Sequence, residues 1–391
     1  MKTFNLSQVN KLVLQKHHLT EDTKIDNILQ ITEDLCGLHS TGLKTSYLSL
    51  LARTRNFKKD DLEKELYIDK TMGRIRGMRR TLFIQTKKMI PIIFAATFEL
   101  FEKNIQKYME FHNISSKEYQ ELSKSIITIL KGKELSTSEI RENLKSHSDI
   151  PAIIQIMCNY CLLIRGKPIK DWKDRRNKYL LFSEHFPDID LAKLHQKEAL
   201  KQLVKRYVKS YSPATEGDIS WWIGVTKTKI REALNSIENQ LERVKISNIE
   251  GDFIINKSEV TELEDIDNIE ERTLNLLPEL DPYLMGYKKR ERYIDSSNYH
   301  NVFDRSGNAT ATILVNGKII GVWEVEEKSE PLFKFYLFNS IEDYLKNELY
   351  DKAQKIGKFY LDKRVQIKEF KSMIPLTERT AGGFMAPLKN S

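Results

Sequence analysis

Between Gly37 and Gly42 the chain reads Leu38-His39-Ser40-Thr41, a short run whose side chains could do chemistry. An imidazole changes charge near neutral pH, and a threonine hydroxyl both donates and accepts hydrogen bonds. In an extended backbone two residues that alternate with a third point to the same side. His39 and Thr41 so placed could hold one water against one substrate atom. The flanking glycines allow positive φ and a close approach by another chain. The same residues also fit a plain helix–loop–helix corner with a satisfied histidine, and the pattern alone leaves both readings open.

The elements that must position this loop can be read from caps and periodicity. Ser7 is placed to cap a helix with Val9, Leu12 and Val13 on one face. Thr20–Asp22 opens a second helix carrying Ile25, Ile28 and Leu29, which ends near Asp34 and is broken by Gly37. A third starts near Ser46 and Tyr47, and Asp60-Asp61 caps a short helix through Leu66. Met72–Gln85 alternates and turns like a β-hairpin. Helices followed by a hairpin give the winged-helix order, and that order recurs twice. Helices are expected at 117–131, from Ser136 or Thr137 with Glu139 in its first turn, and at 150–163, with a wing reaching Ser183. A further set lies near 191–210, 215–223 and 226–240, followed by strands 243–247 and 252–256 turning at Glu250-Gly251. No residue-level repeat accompanies the repeated order.

Residues 259–271 hold seven acids and no base, which predicts a solvated linker or helix face. Beyond them Asn316-Gly317 between 310–315 and 318–323 signals a hairpin, 333–338 a strand and 341–360 a helix, with a loose tail from Thr377. The predicted class is α+β, with winged helices at 1–110, 111–185 and 186–258. A linker at 259–273 and a mainly β domain at 274–391 complete it.

The 391 residues include 63 Lys and Arg against 55 Asp and Glu, a net charge of +8 that favours a polyanionic partner. Arg74, Arg76, Arg79, Arg80, Lys87 and Lys88 fall within 71–90 with no acid among them. The planar guanidinium suits phosphate, although a solvated basic wing has the same composition. In a second cluster, Tyr283, Tyr287, Lys288, Lys289, Arg290 and Arg292 could stack on bases and hold phosphate, or the tyrosines could simply pack. Three cysteines make no disulfide framework and point to a reducing, cytoplasmic setting. Cys158-Asn-Tyr-Cys161 lies in an apolar stretch and reads as buried helix rather than a zinc site. His17-His18 and His300 lack metal-ligand spacing, so no metal is expected. No phosphate-binding glycine loop, Gly-x-Ser-x-Gly or His-Glu-x-x-His occurs, so no nucleotide cofactor, serine hydrolysis or zinc proteolysis is indicated. The N-terminus lacks the apolar core of a signal peptide, and the apolar run Met89–Phe101 is too short to span a bilayer.

Several stretches together resemble one family. They are the loop at 35–41 and the helix with Tyr47, Leu48, Leu50, Ala52 and Arg53; Trp221-Trp222-Ile223-Gly224 with Arg231–Leu234; Leu276–Tyr287 with Arg290; and the hairpin Val315–Trp323. They resemble the AlkZ-like winged-helix family, known for bacterial DNA glycosylases that excise bulky or crosslinked alkylated bases. The resemblance covers most of the chain. It implies three winged helices in a C-shaped scaffold, closed by a small β-barrel, around a channel for double-stranded DNA. It implies a monofunctional glycosylase, while the absent cofactor motifs and three tandem copies without a heptad segment point to a cofactor-free monomer. In that family the catalytic loop carries Gln-x-Gln or Gln-x-Asp, and here those positions are His39 and Thr41. Neutral His39 would orient the attacking water or take its proton, with Thr41 as second partner. Glu33 or Asp34 would supply negative charge if the loop folds back. Arg53, Arg74, Arg76, Arg79, Arg80, Tyr287, Lys288, Lys289, Arg290 and Arg292 are the expected DNA contacts. The rival expectation is a non-catalytic winged-helix DNA-binding protein or regulator.

Overall fold

A computed structural model describes residues 1–146, 148–266 and 272–378. Its described residues form three three-stranded sheets, one five-stranded sheet and the helices packed on them, a mixed α+β fold.

The first sheet orders Leu38–His39, Leu82–Thr86 and Met72–Arg76, all antiparallel. It packs with the helices Ile28–Asp34 and Leu43–Arg53, and the 22-residue helix Ile90–Phe111 follows it. Asn27 rather than Thr20 caps the helix Ile28–Asp34, its Oδ1 accepting from Gln30 N at 3.0 Å. Residues Glu21–Thr23 make only a single 3-10 turn. Asn5, not Ser7, precedes the first helix, Leu6–Lys16.

The second sheet orders Leu135–Ser136, Asn177–Leu181 and Leu163–Pro168, beside the helices Ser116–Leu130, Thr137–Leu144 and Ile150–Asn159. Ser136 makes the expected capping box, with Glu139 Oε2 accepting from Ser136 N at 2.7 Å. The third sheet joins Leu241–Ile246 to Ile249–Asn256 and carries the helices Gln196–Tyr211, Glu216–Ile223 and Lys227–Asn235. Its turn is Ser247-Asn248 and not Glu250-Gly251. Asn248 takes the left-handed φ of 63° that Asn tolerates, while Gly251 lies inside the second strand. A third strand, Thr3–Phe4, comes from the other end of the chain and pairs parallel with Lys245 and Ile246.

The C-terminal sheet runs Leu274–Leu277, Thr312–Val315, Lys318–Glu326, Leu332–Leu337 and Gln366–Glu369, with only the last pair parallel. Among the described residues its two edge strands do not pair, so the sheet is open and the expected barrel does not close. The helix Asp343–Leu361 covers one face, burying Leu345, Leu349, Ala353 and Ile356 with Phe333 and Phe335.

Of the two expectations for the acidic stretch, the helix face holds over its described part, with Glu262, Glu264 and Asp265 exposed, and Glu259 is the exception. Lys257–Asp265 is a helix, and Glu259 is buried, accepting from Lys16 Nζ at 2.9 Å and Ser212 Oγ at 2.6 Å. Residues 267–271 and the tail 379–391, with Gly382-Gly383, lie outside the described residues. No helix among the described residues is long and apolar enough to cross a membrane.

The interior ties the parts together through tyrosines. Tyr211 Oη donates to Leu35 O, Tyr287 Oη to Tyr211 O (both 2.8 Å), and Tyr207 Oη to Gly286 O (2.7 Å). The segment preceding the His39 loop is thus pinned to the third helix group, and that group to residues 286–287.

Candidate functional site

The His39 loop is held on every side. Cys36 and Gly37 both take positive φ (55° and 112°) as the helix Ile28–Asp34 ends, with Gly37 N donating to Thr32 O at 2.8 Å. A Cβ on Gly37 would sit 2.1 Å from Gln85 Nε2, which itself donates to Cys36 O at 3.0 Å. The position therefore requires glycine. Leu38 and His39 then pair with Ile84 and Phe83, and Ser40 N donates to Leu82 O at 2.8 Å. Ser46, in the first turn of the next helix, donates from Oγ to His39 O at 2.8 Å. The backbone from 37 to 40 is thereby fixed before any ligand arrives.

Within this frame His39 is buried, 5% exposed, and Thr41 is exposed, one residue before Gly42, which caps the helix Leu43–Arg53. The imidazole packs edge-on against Phe83 at 5.4 Å, and its Nδ1 is buried without a hydrogen-bond partner. Burial pushes the imidazole pKa down to about 4, and the charge of Arg79 adds to the effect. His39 is consequently neutral at physiological pH. Glu33 and Asp34 do not fold back onto it. Glu33 accepts from Thr86 Oγ1 at 3.1 Å and pairs with Lys88 at 3.0 Å, while Asp34 pairs with His18 at 3.0 Å.

The expected DNA contacts separate into surface and interior. Arg80, Lys288 and Lys289 are exposed, and Arg76 and Arg79 are half-buried. Arg76 donates to Arg80 O at 3.0 Å and Gln155 Oε1 at 2.9 Å. Arg76 and Arg80 line a cleft of about 280 Å3 with Phe101, Tyr108, Gln155 and Asn159. Arg79 and Arg80 occupy the hairpin turn in left-handed conformation (φ 52° and 58°), uncommon for residues with a Cβ. The Arg79 guanidinium lies 4.1 Å from the centre of the Trp221 ring, and that of Arg290 lies 4.8 Å from it. Burial, reinforced by Arg290, lowers Arg79 to about 10.

Arg53, Arg74, Tyr287, Arg290 and Arg292 are buried and correct the sequence expectation. Arg53 has no exposed surface and forks onto Asp281, Nη1 to Oδ2 at 2.8 Å and Nη2 to Oδ1 at 2.7 Å. Ser49 Oγ donates to the same carboxylate at 2.7 Å. Tyr287 is buried under the Arg292 guanidinium, 3.6 Å from its ring centre, and Arg292 donates to Pro213 O at 2.9 Å. Arg290 donates to Tyr293 Oη at 2.7 Å and to Leu284 O. Arg74 donates to Ser40 and Asn177. A phosphate cannot reach these groups without rearrangement. The partners that claim them (Asp281, Ser40, Asn177, Trp221) were not singled out from the sequence as site residues. Ser40 and Trp221 lie in stretches that the sequence does mark, Asp281 is an acid before proline in a largely apolar stretch, and Asn177 carries no sequence signal.

The three cysteines are buried and free, and burial raises the thiol of Cys36 to about 11. The second hairpin closes onto the C-terminal part. Trp172 at its tip sits 4.9 Å from Tyr47, 5.7 Å from Phe359 and 5.3 Å from Tyr360.

A sequence model described as DNA glycosylase AlkZ-like matches residues 32–358. The chain belongs to the AlkZ-like family. The match contains the His39 loop, the arginine hairpin and Lys288–Arg292. Streptomyces sahachiroi DNA glycosylase AlkZ is similar in fold, with a TM-score of 0.78 over 95% of this chain and 100% of that one, at 17% identity. No curated protein sequence matches the chain. At that identity the likeness is one of fold, so the reading of an AlkZ-like site here rests on this chain's own geometry.

Proposed function

We propose that this AlkZ-like protein is a monofunctional DNA glycosylase for alkylated bases, acting as a monomer on double-stranded DNA, with His39 and Thr41 at the reaction centre. The observation that carries the reading is His39: buried, neutral, with an unpartnered Nδ1, on a rigid loop inside the family match. An imidazole with pKa about 4 is as weak a base as an aspartate in water. It accepts a hydrogen bond from water without carrying charge. In the proposed step water attacks C1′ of the sugar, the bond from C1′ to the base nitrogen breaks, and the water proton passes toward His39 while exposed Thr41 orients the water. An N7- or N3-alkylated purine carries a positive charge that its departure discharges, so the leaving group needs no acid. Among the described residues no carboxylate is among the groups that shift His39, so neutral lesions, which also need an acid for the leaving base, react poorly.

Each of the three helix-and-sheet groups reads as a winged helix. DNA lies across the first hairpin, on Arg76, Arg79 and Arg80, and reaches Lys288 and Lys289. One observation favours the second reading, a non-catalytic DNA-binding protein. Among the groups that shift His39 there is a cation, Arg79, and no carboxylate. The deciding measurement is base release from duplexes carrying N7-methylguanine or N3-methyladenine, with binding measured in parallel. Release by wild type that falls at least about 100-fold in His39→Ala, with binding retained, is the expected result. Thr41→Ala falls less. Binding without release by the wild type leaves the second reading.

A further inference from the structure

Arg74 is a cation placed where a cation is unfavourable. It is 3% exposed, and burial lowers its guanidinium to about 10. Among the described residues no carboxylate accepts from it; the groups facing it are Tyr67, Tyr179 and Tyr47, with Arg165 adding repulsion. An interior charge without a counter-ion destabilises a fold, and an apolar side chain of similar volume would commonly serve stability better. What Arg74 has instead is a set of neutral acceptors at one place. Nε donates to Ser40 Oγ at 2.9 Å and Nη2 to Ser40 O at 3.1 Å. Nη1 donates to Asn177 Oδ1, at the start of a strand of the second sheet. Asn177 is oriented in turn, its Nδ2 donating to Arg175 O at 2.7 Å.

Ser40 is the residue between His39 and Thr41. Its N–H is taken by Leu82 O, so Arg74 supplies the hydrogen bonds that fix its carbonyl and hydroxyl. Arg74 stands on the edge strand opposite Leu38–His39, with Leu82–Thr86 between them, so its side chain ties one edge of the sheet to the other. A planar fork can hold a carbonyl and a hydroxyl together in one orientation, and a lysine ammonium cannot reproduce that geometry.

We propose that Arg74 is the positioning residue of the His39–Thr41 loop and that, through Asn177, it couples the loop's geometry to the seating of the second helix-and-sheet group. The catalytic part of the proposal rests on the glycosylase reading above. The mechanical part does not.

The test uses the full chain with Arg74→Lys, Ser40→Ala and Asn177→Ala. It has three readouts: single-turnover release of N7-methylguanine at saturating enzyme, affinity for the same duplex against salt, and NMR titration of the His39 ring. Arg74→Lys is expected to slow release by about tenfold to a hundredfold, the scale of a small misplacement of reacting groups. Affinity stays within about twofold and the salt slope is unchanged, because the guanidinium is buried and engaged by Ser40 and Asn177. The His39 pKa rises toward its ordinary value as the loop loosens and the ring beside Phe83 becomes less buried, with Arg79 still in place. Asn177→Ala moves rate and titration the same way, by less. Weaker binding with a salt slope lower by about one, at an unchanged saturating rate, would make Arg74 a phosphate contact and overturn the proposal. An unchanged rate and an unchanged His39 titration would overturn it too. If Arg74→Lys fails to fold, Ser40→Ala and Asn177→Ala decide by the same readouts. If the wild type releases no base, the glycosylase reading fails, and the His39 titration alone judges whether Arg74 sets the loop.

Discussion

An imidazole in water changes charge near pH 6.5, whereas His39 is held neutral to about pH 4 by desolvation and Arg79. Two consequences follow for this residue. Base release should stay flat with pH from about 8 down to 5, with no step at 6.5, and a step there in the rate profile would contradict the burial of the ring. For stability, the folded-state pKa lies below the unfolded one, so the unfolded chain takes up the proton first on acidification. The contribution is intact above about pH 6.5 and is lost progressively down to about pH 4, at most about 3 kcal/mol for this group. His185, also lowered to about 4 by burial, acts in the same direction. The difference between wild type and His39→Gln in denaturant titrations at pH 7 and pH 4.5 isolates the His39 share and should show a shallower acid loss in the variant. The residue types of the loop were legible because histidine and threonine between glycines are a local pattern. The roles of the arginines were not. A guanidinium that binds a carboxylate, a carbonyl or a phosphate looks the same in sequence, and only Asp281, Ser40 and Asn177, far apart in the chain, tell Arg53 and Arg74 from Arg80.

Among elements, the helix Leu43–Arg53 carries the loop at one end and the Arg53–Asp281 pair at the other. That pair is fully buried on both sides, and Asp281 also caps the turn Pro282–Met285 by accepting from Tyr283 N at 2.9 Å. Asp281→Ala should therefore lower unfolding free energy by about 3–5 kcal/mol, because it leaves a buried guanidinium unpaired. The double variant Arg53→Met/Asp281→Ala should recover part of the loss, and additive losses in chemical denaturation would refute the coupling. Helices were readable where a cap and a 3.6-residue period coincide, as at Ser136 with Glu139. Two-residue strands such as Leu38–His39 and Thr3–Phe4 carry too few residues for any period to show. The turn at Ser247-Asn248 was missed because the nearby glycine was the stronger local signal, yet Asn248 supplied the left-handed residue.

Taken whole, the proposed DNA face presents few free cations among the described residues. Lys87 and Lys88 pair with Asp188 and Glu33, while Arg80, Lys288 and Lys289 are exposed. Arg80→Glu with Lys288→Glu should weaken duplex binding. The slope of log affinity against log salt should fall by about one unit for each phosphate left without its cation. An unchanged slope would remove these residues from the interface. The open C-terminal sheet was not legible as open, since strand number and spacing are the same whether or not the first and last strands meet. The joining of distant groups, as by Trp172 against Tyr47 and Tyr360, is likewise a product of tertiary packing that no local window contains.

Thr3–Phe4 completes a sheet whose other strands are Leu241–Ile246 and Ile249–Asn256. On a ribosome adding about 5–20 residues each second, the first strand waits roughly 10–50 s for its partner to be made. Meanwhile Phe4, Val9 and Leu12, which end in one apolar cluster with Val244 and Phe253, have no surface of their own to bury against. The emerging chain thus offers a sticky amphipathic segment until residues 241–256 have been made. A truncation ending before residue 241 should lack a home for it and bind holding chaperones, while the finished chain does not.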